Sequence, residues 1–210
     1  MQEIIEGIIT GVYQTSALEW TAVIFGLMSV WFSMKENILV YPTGIISVLI
    51  YVYLSFNYLL YADAGVNSYY FVMSVYGWYH WKDTDDDTDQ IPVTKNSSKE
   101  WVISVGILIA SFIILVFVLQ NFTDSDVPIW DATTTCFAIL GMWLMARKKV
   151  ESWIAWIITD IISVPLYFYK GLVLTSFQFL FFTGLAVAGY FAWKKSLQKS
   201  EGSLVEEQRV

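Results

Sequence analysis

The sequence predicts an all-α membrane protein of seven transmembrane helices, arranged as two parallel three-helix repeats joined by one helix (3+1+3). Three observations carry that prediction. The 210-residue chain is 56% hydrophobic, with a mean hydropathy of +0.54, where soluble domains lie near about 45–50% apolar. Apolar runs of the length a bilayer requires, about 17–25 residues, recur from end to end. Three short blocks of sequence then reappear in the same order.

The elements follow along the chain. Residues 1–10, MQEIIEGIIT, lack a basic leader, so they do not read as a cleaved signal peptide. Ile4, Ile5, Ile8 and Ile9 share a face opposite Glu3 and Glu6, which predicts a short interfacial helix, with a frayed tail as the alternative. Spans are expected at roughly 20–34, 38–56, 64–81, 101–119, 128–146, 151–169 and 174–193. Little chain is left for anything soluble, so residues 1–210 form one transmembrane domain, with 195–210 as its tail. The formal charge of −7 comes largely from that tail and from DTDDDTD at 83–89. Such a run reads as a solvated loop, and no metal site is expected in it. The lone Cys136 lies in an apolar segment and cannot form an internal disulfide; it reads as a small core residue.

The repeat is visible as echoes. IISVLIYVY at 45–53 returns as IISVPLYFY at 161–169, YGWYHWK at 76–82 as AGYFAWK at 188–194, and WFSMKEN at 31–37 as WLMARKK at 143–149. Residues of about 20–82 and about 128–194 therefore read as two copies of a three-helix unit. Three is odd, so adjacent copies would be inverted; the segment 101–119 restores the direction and makes the halves parallel. That plan is the parallel-repeat class that includes the SWEET sugar transporters, whose sites lie near the midplane between repeats. Orientation follows from the basic residues. Of the 12, only Lys170 falls on the side of the N-terminus and the loops after the second, fourth and sixth spans. The positive-inside rule places the N-terminus outside and the C-terminus in the cytoplasm.

Ionisable residues are nearly absent from the spans, and Asp160 is the clearest exception. A carboxylate at the centre of a span costs a few kcal/mol, so it faces a cavity or a partner. Trp153 and Trp156 precede it on the same helical face. Their rings can stack on a planar cation, with Asp160 as countercharge or hydrogen-bond acceptor. The competing reading makes both indoles part of an interfacial aromatic belt and Asp160 a bond to a neighbouring helix; the residues alone leave the two even. Ser47, in the block of the first repeat that corresponds to Asp160, and Asn67 and Gln178, in the third helix of each repeat, are further candidates, though such residues also serve as interhelical glue. His80, beside Trp81 and Lys82, reads as interfacial.

Several classes are excluded. The chain has no G-x-x-x-x-G-K-[ST] phosphate loop. It has no His/Cys cluster for a metal and no Ser-His-Asp set, so it is not expected to be an enzyme or to carry a cofactor. The last span lacks the lysine a retinal protein needs. Transport without chemistry is what remains.

YGWYHW at 76–81, PIWDATTT at 128–135, LMARKKVESWIAW at 144–156 and DIISVPLYFYKGL at 160–172 resemble the bacterial nicotinamide riboside transporter (PnuC) family. The likeness runs from Trp20 to Trp193, and the pattern W-x-x-W-x-x-x-[N/D] is met by Trp153, Trp156 and Asp160. The resemblance implies a SWEET-like inner-membrane carrier that moves a vitamin precursor by facilitated diffusion, with a cytoplasmic kinase trapping it by phosphorylation. It also implies that the motif lines the substrate site. Asp160, and Ser47 likewise, stand where several family members carry Asn, and such swaps can accompany a change of vitamin. Nicotinamide riboside is the first expected solute and thiamine the second, both being flat cationic heterocycles; the neutral ring of riboflavin fits less well. A SWEET-like sugar carrier gains nothing from a countercharge, and a non-transporting receptor or scaffold would show no flux. The lipid bilayer is the expected surrounding, a homo-oligomer is compatible with the sequence, and no nucleic acid is expected as partner.

Overall fold

A computed structural model describes residues 16–82 and 91–207. The interfacial helix expected at 1–10 and the acidic run at 83–89 lie outside the described residues. The rest is helical: α1 (Ala17–Met34), α2 (Val40–Asn57), α3 (Tyr61–Trp81), α4 (Ser98–Phe122), α5 (Pro128–Ala146), α6 (Glu151–Tyr169) and α7 (Val173–Glu207). All but α3 are long and apolar enough to cross a bilayer on composition alone. The 21 residues of α3 include Asp63, Asn67, Ser68, Ser74 and His80, which dilute its apolar character. It is nonetheless a bundle helix, packed between α2 and α5. The protein is a multi-pass membrane protein.

Local chemistry sets the ends. Ser16 caps α1, its Oγ accepting from the Glu19 N–H at 3.1 Å. At α4, Ser97 and Glu100 form a capping box that satisfies two backbone donors reciprocally. Pro128 opens α5, where its missing N–H costs nothing. The last helix was expected to stop near residue 193, but it continues to Glu207. Nothing in KKSLQKSE breaks it, and Lys, Leu, Gln and Glu all favour the helix.

Certain features recur at one spacing. Ser33 and Met145 stand 112 residues apart. So do Glu36 and Lys148, which follow α1 and α5 in the left-handed conformation with φ of 55° and 54°. Leu59 and Gly171, after α2 and α6, repeat it with φ of 60° and 75°. Only glycine adopts that conformation without strain. Two of the three quoted echoes obey this spacing. The third does not: IISV at 45–48 and 161–164 are one helical turn out of register. Ser47 therefore corresponds to Thr159, not to Asp160.

The densest packing lies at the end of the bundle that carries Lys35, Lys82 and Arg147–Lys149, called here the basic end. There Tyr41, Trp81, Trp153 and Trp193 are all buried in one cluster. Trp81 Nε1 donates to the Met145 carbonyl at 3.3 Å, and Trp193 Nε1 donates to the Ser33 carbonyl at 2.8 Å. The Ser33 hydroxyl itself reaches Met145 Sδ at 2.9 Å. Tyr41 meets Trp81 edge-on at 5.2 Å, and Trp153 meets Trp193 edge-on at 5.5 Å. Lys148, almost fully buried, pairs with Glu36 at 3.3 Å and sits 4.7 Å over the Trp81 ring. Burial holds its ammonium below the usual lysine range, and the Glu36 charge opposes that shift. The linker docks on the same end. Thr94 and Lys149 form a parallel β-bridge, and Glu100 pairs with Arg147 at 3.1 Å and with Lys149 at 2.8 Å.

Candidate substrate site

Asp160 lies in the middle of α6 and is only 5% exposed. No ion pair reaches it among the described residues. Tyr70 of α3 lies within its electrostatic reach. One turn before Asp160, the half-buried indole of Trp156 presents one side to α5 and another to α3. A Cβ at Gly141 would stand 3.0–3.2 Å from Trp156 ring atoms, so the bare glycine backbone is what admits the ring. Tyr70 meets Trp156 edge-on, 6.2 Å between centroids and 62° between planes. Tyr69 lies against Tyr70 at 5.9 Å, and its hydroxyl donates to the Ile139 carbonyl at 2.9 Å, tying α3 to α5. Trp156, Asp160 and Tyr70 thus form an aromatic wall and a carboxyl group where α3, α5 and α6 meet.

The other candidates are placed differently. Trp153, 2% exposed, turns away from Trp156 toward α7. A Cβ at Gly189 would fall 2.6 Å from three atoms of its ring. Its Nε1 has no hydrogen-bond partner among the described residues, and neither has Tyr41 Oη, which lies over Gly77 in the same way. Ser47 is buried and donates to the Ala22 carbonyl at 2.8 Å, between α1 and α2. Asn67 Nδ2 donates to the Asp63 carbonyl on its own helix at 2.9 Å. Gln178 is half-buried on α7. The sequence reasoning missed Tyr70 and Gly141. A tyrosine pair in an otherwise lean helix was the available signal for the first; nothing marked the second.

At the opposite end Lys170 Nζ donates to both Asp131 oxygens at 2.6 and 2.8 Å, and Ser125 donates to the same carboxylate at 2.6 Å. The single basic residue of that side is therefore held by an ion pair. Among the described residues no His, Cys, Asp or Glu cluster could hold a metal ion.

The family described as nicotinamide mononucleotide transporter matches residues 16–195. The chain belongs to this family. It is similar to the nicotinamide riboside transporter PnuC of Escherichia coli (strain K12), with 28% identity over 90% of each chain. Against the riboflavin/roseoflavin transporter RibM of Streptomyces davaonensis the identity is 25%, over 81% of each chain. Against PnuC of Neisseria mucosa it is 24%, over 89% of this chain and 75% of that one. A solved structure, described as the crystal structure of the vitamin B3 transporter PnuC, superposes with a TM-score of 0.69. It shares 22% identity over 93% of this chain and 88% of its own. The chain is accordingly a transporter of the PnuC family and not an enzyme.

Proposed function

We propose that the protein carries nicotinamide riboside across the bacterial inner membrane by facilitated diffusion. The observation that carries this reading is the juxtaposition between α3, α5 and α6 of Trp156, Tyr70 and a buried Asp160 that is unpaired among the described residues. A planar cation stacks on electron-rich ring faces, and a carboxylate in a low-dielectric bundle balances its charge. The relatives named as nicotinamide riboside transporters support the same solute. The relative named RibM favours riboflavin as a second reading; thiamine, the other flat cation, remains the runner-up on chemistry.

The helix order and the recurring spacing support a 3+1+3 architecture, with α1–α3 and α5–α7 as parallel repeats and α4 as linker. The pairs Ser33–Met145, Glu36–Lys148 and Trp81–Trp193 are then residues meeting their own counterparts across a pseudo-two-fold axis. The Trp81 and Trp193 bonds are the two halves of one isologous exchange. With 11 of the basic residues on that side, it is the cytoplasmic end, and its aromatic layer is the closed inner gate. Tyr41 and Trp153 rest in glycine notches from which they must withdraw for the solute to pass. Trp153 is then the floor of the substrate site, and Trp156 is its wall. Asn67 and Gln178 are left as flanking polar groups on α3 and α7.

Nothing in the chain couples uptake to ATP, so a cytoplasmic kinase supplies accumulation. The test is flux into proteoliposomes, with and without an entrapped kinase. Equilibration without the kinase and accumulation with it is the expected result. Concentrative uptake under a proton or sodium gradient alone would overturn it. Binding of nicotinamide riboside, thiamine and riboflavin, read by Trp fluorescence of the purified protein, separates the solutes. Orientation is checked by outside labelling of single cysteines: one within 121–127 should react and one at Lys99 should not.

A further inference from the structure

The two seams between the halves are filled unequally. In the seam between α3 and α5, Trp143 stacks on Tyr76 at 6.3 Å and 5°, and Tyr76 stacks on His80 at 5.6 Å and 7°. Arg147 covers the Trp143 ring at 5.3 Å, and its guanidinium is paired with Glu100 of α4. The other seam, between α1 and α7, repeats half of this. Trp31 takes the place of Trp143, with Lys35 over its ring at the same 5.3 Å. Where the first seam has Tyr76 and His80, the second has Ala188 and Ala192. No ring stacks on Trp31 among the described residues, and it is 51% exposed. Among the described residues no helix lies against α1 as α4 lies against α5. What remains is a groove of about 460 Å³, lined among the described residues by Leu27, Met28, Trp31, Phe32, Phe181 and Leu185.

We propose that this groove seats one acyl chain of an anionic phospholipid from the leaflet at the basic end, with Lys35 holding the phosphate. The lining is wholly apolar, as a chain requires, and the cation stands at its membrane-surface end. No carboxylate pairs with Lys35 among the described residues. Glu36 is taken by the buried Lys148, and Glu100 by Arg147 and Lys149. A second copy docking its α4 here would bring a Glu100 that is already engaged, leaving Lys35 desolvated and unpaired. A lipid phosphate supplies the missing negative charge, and juxtamembrane lysines favour such headgroups. The reading rests on the contrast between the seams and does not depend on the solute.

Native mass spectrometry of the full chain in non-ionic detergent tests it, with phosphatidylglycerol and phosphatidylcholine titrated separately. One phosphatidylglycerol should be retained per chain, in clear preference to phosphatidylcholine. Lys35→Gln, at an exposed helix end where folding is insensitive, should weaken phosphatidylglycerol retention about fivefold and leave phosphatidylcholine unchanged. Leu185→Trp, which fills the groove, should release both lipids. Equal retention of the two lipids, or Lys35→Gln retaining phosphatidylglycerol like the parent, overturns the headgroup assignment. Chains that associate without bound lipid, and separate on Leu185→Trp, would show instead that a second copy covers the face.

Discussion

In the first three helices Gly44 faces the Ser29 hydroxyl; at the same register in the last three, Trp156 faces Gly141. One half puts a small residue on each helix, and the other puts a large ring against bare backbone. Val48 stands where Asp160 does. Yet at the basic end the same two halves exchange matching indole bonds and set Tyr41 and Trp153 in matching glycine notches. A pseudo-symmetric frame can therefore carry an asymmetric site. On the proposed 3+1+3 plan the frame repeats because each copy must bury the same face, and the proposed solute needs only one wall.

The largest effects should fall on the shared part. Trp81→Phe and Trp193→Phe each remove an indole donor from a carbonyl that keeps one backbone N–H, Lys148 on Met145 and Glu36 on Ser33, which costs about 0.5–1.5 kcal/mol. Unfolding of the two variants in detergent should show closely similar losses. A large loss for one and none for the other would break the equivalence of the halves. The same logic applies to Gly77→Ala and Gly189→Ala. Each new Cβ would meet a buried ring at 2.5–2.6 Å, an overpacking cost of about 1–3 kcal/mol.

In the unequal part, matched substitutions should have unmatched effects. Trp156→Ala removes a stacking face worth roughly 1–2 kcal/mol, or about 5- to 30-fold in nicotinamide riboside affinity by fluorescence titration. Gly44→Ala, at the equivalent register, should change affinity less than about twofold, because it strains only the Ser29 hydroxyl, which donates to the Val40 carbonyl at 2.8 Å, and leaves the Trp156 wall untouched. Asp160→Asn keeps the shape and the acceptor but removes the charge. Binding of the cationic solute should weaken about tenfold, close to 1.4 kcal/mol, while neutral riboflavin is unaffected. Equal affinity of Asp160→Asn and the parent for nicotinamide riboside would make Asp160 a hydrogen-bonding group and no countercharge.

The sequence exposed the spans because bilayer thickness dictates run length, α3 included, although its polar residues dilute its apolar character. It exposed Asp160 because a lone carboxylate in an apolar run is conspicuous. Trp153 and Trp156 looked like one clamp because they share a helical face; which neighbouring helix each ring meets is a tertiary fact. Trp153 meets Gly189 of α7, Trp156 meets Gly141 of α5, and no local pattern marks either glycine as a notch. The IISV echo misled for a related reason. A four-residue likeness in β-branched, membrane-typical residues slips by one turn at little cost to its apolar face. The turns after Met34 and Ala146, with their left-handed Glu36 and Lys148, carry the true register.

The smallest effect concerns Ser47, and it separates glue from ligand. Its hydroxyl is buried and donates to the Ala22 carbonyl at 2.8 Å, close beside Gly26, where a Cβ would stand 3.1 Å away. That bond joins α1 to α2 within the first half, away from the Trp156 wall. Its counterpart Thr159 likewise spends its hydroxyl on the backbone, donating to the Ala155 carbonyl at 3.0 Å. Membrane-buried side-chain bonds of this kind contribute about 0.6 kcal/mol on average. Ser47→Ala should therefore lower stability by about that much and move nicotinamide riboside affinity less than about twofold. Ser47→Asn replaces the hydroxyl with a larger amide. With Gly26 so close, the larger amide cannot sit as the hydroxyl does. If affinity then rises while stability falls, the first half holds a latent polar contact to the solute that serine has withdrawn. If neither moves, the first half contributes frame alone, and the solute is read by α3, α5 and α6.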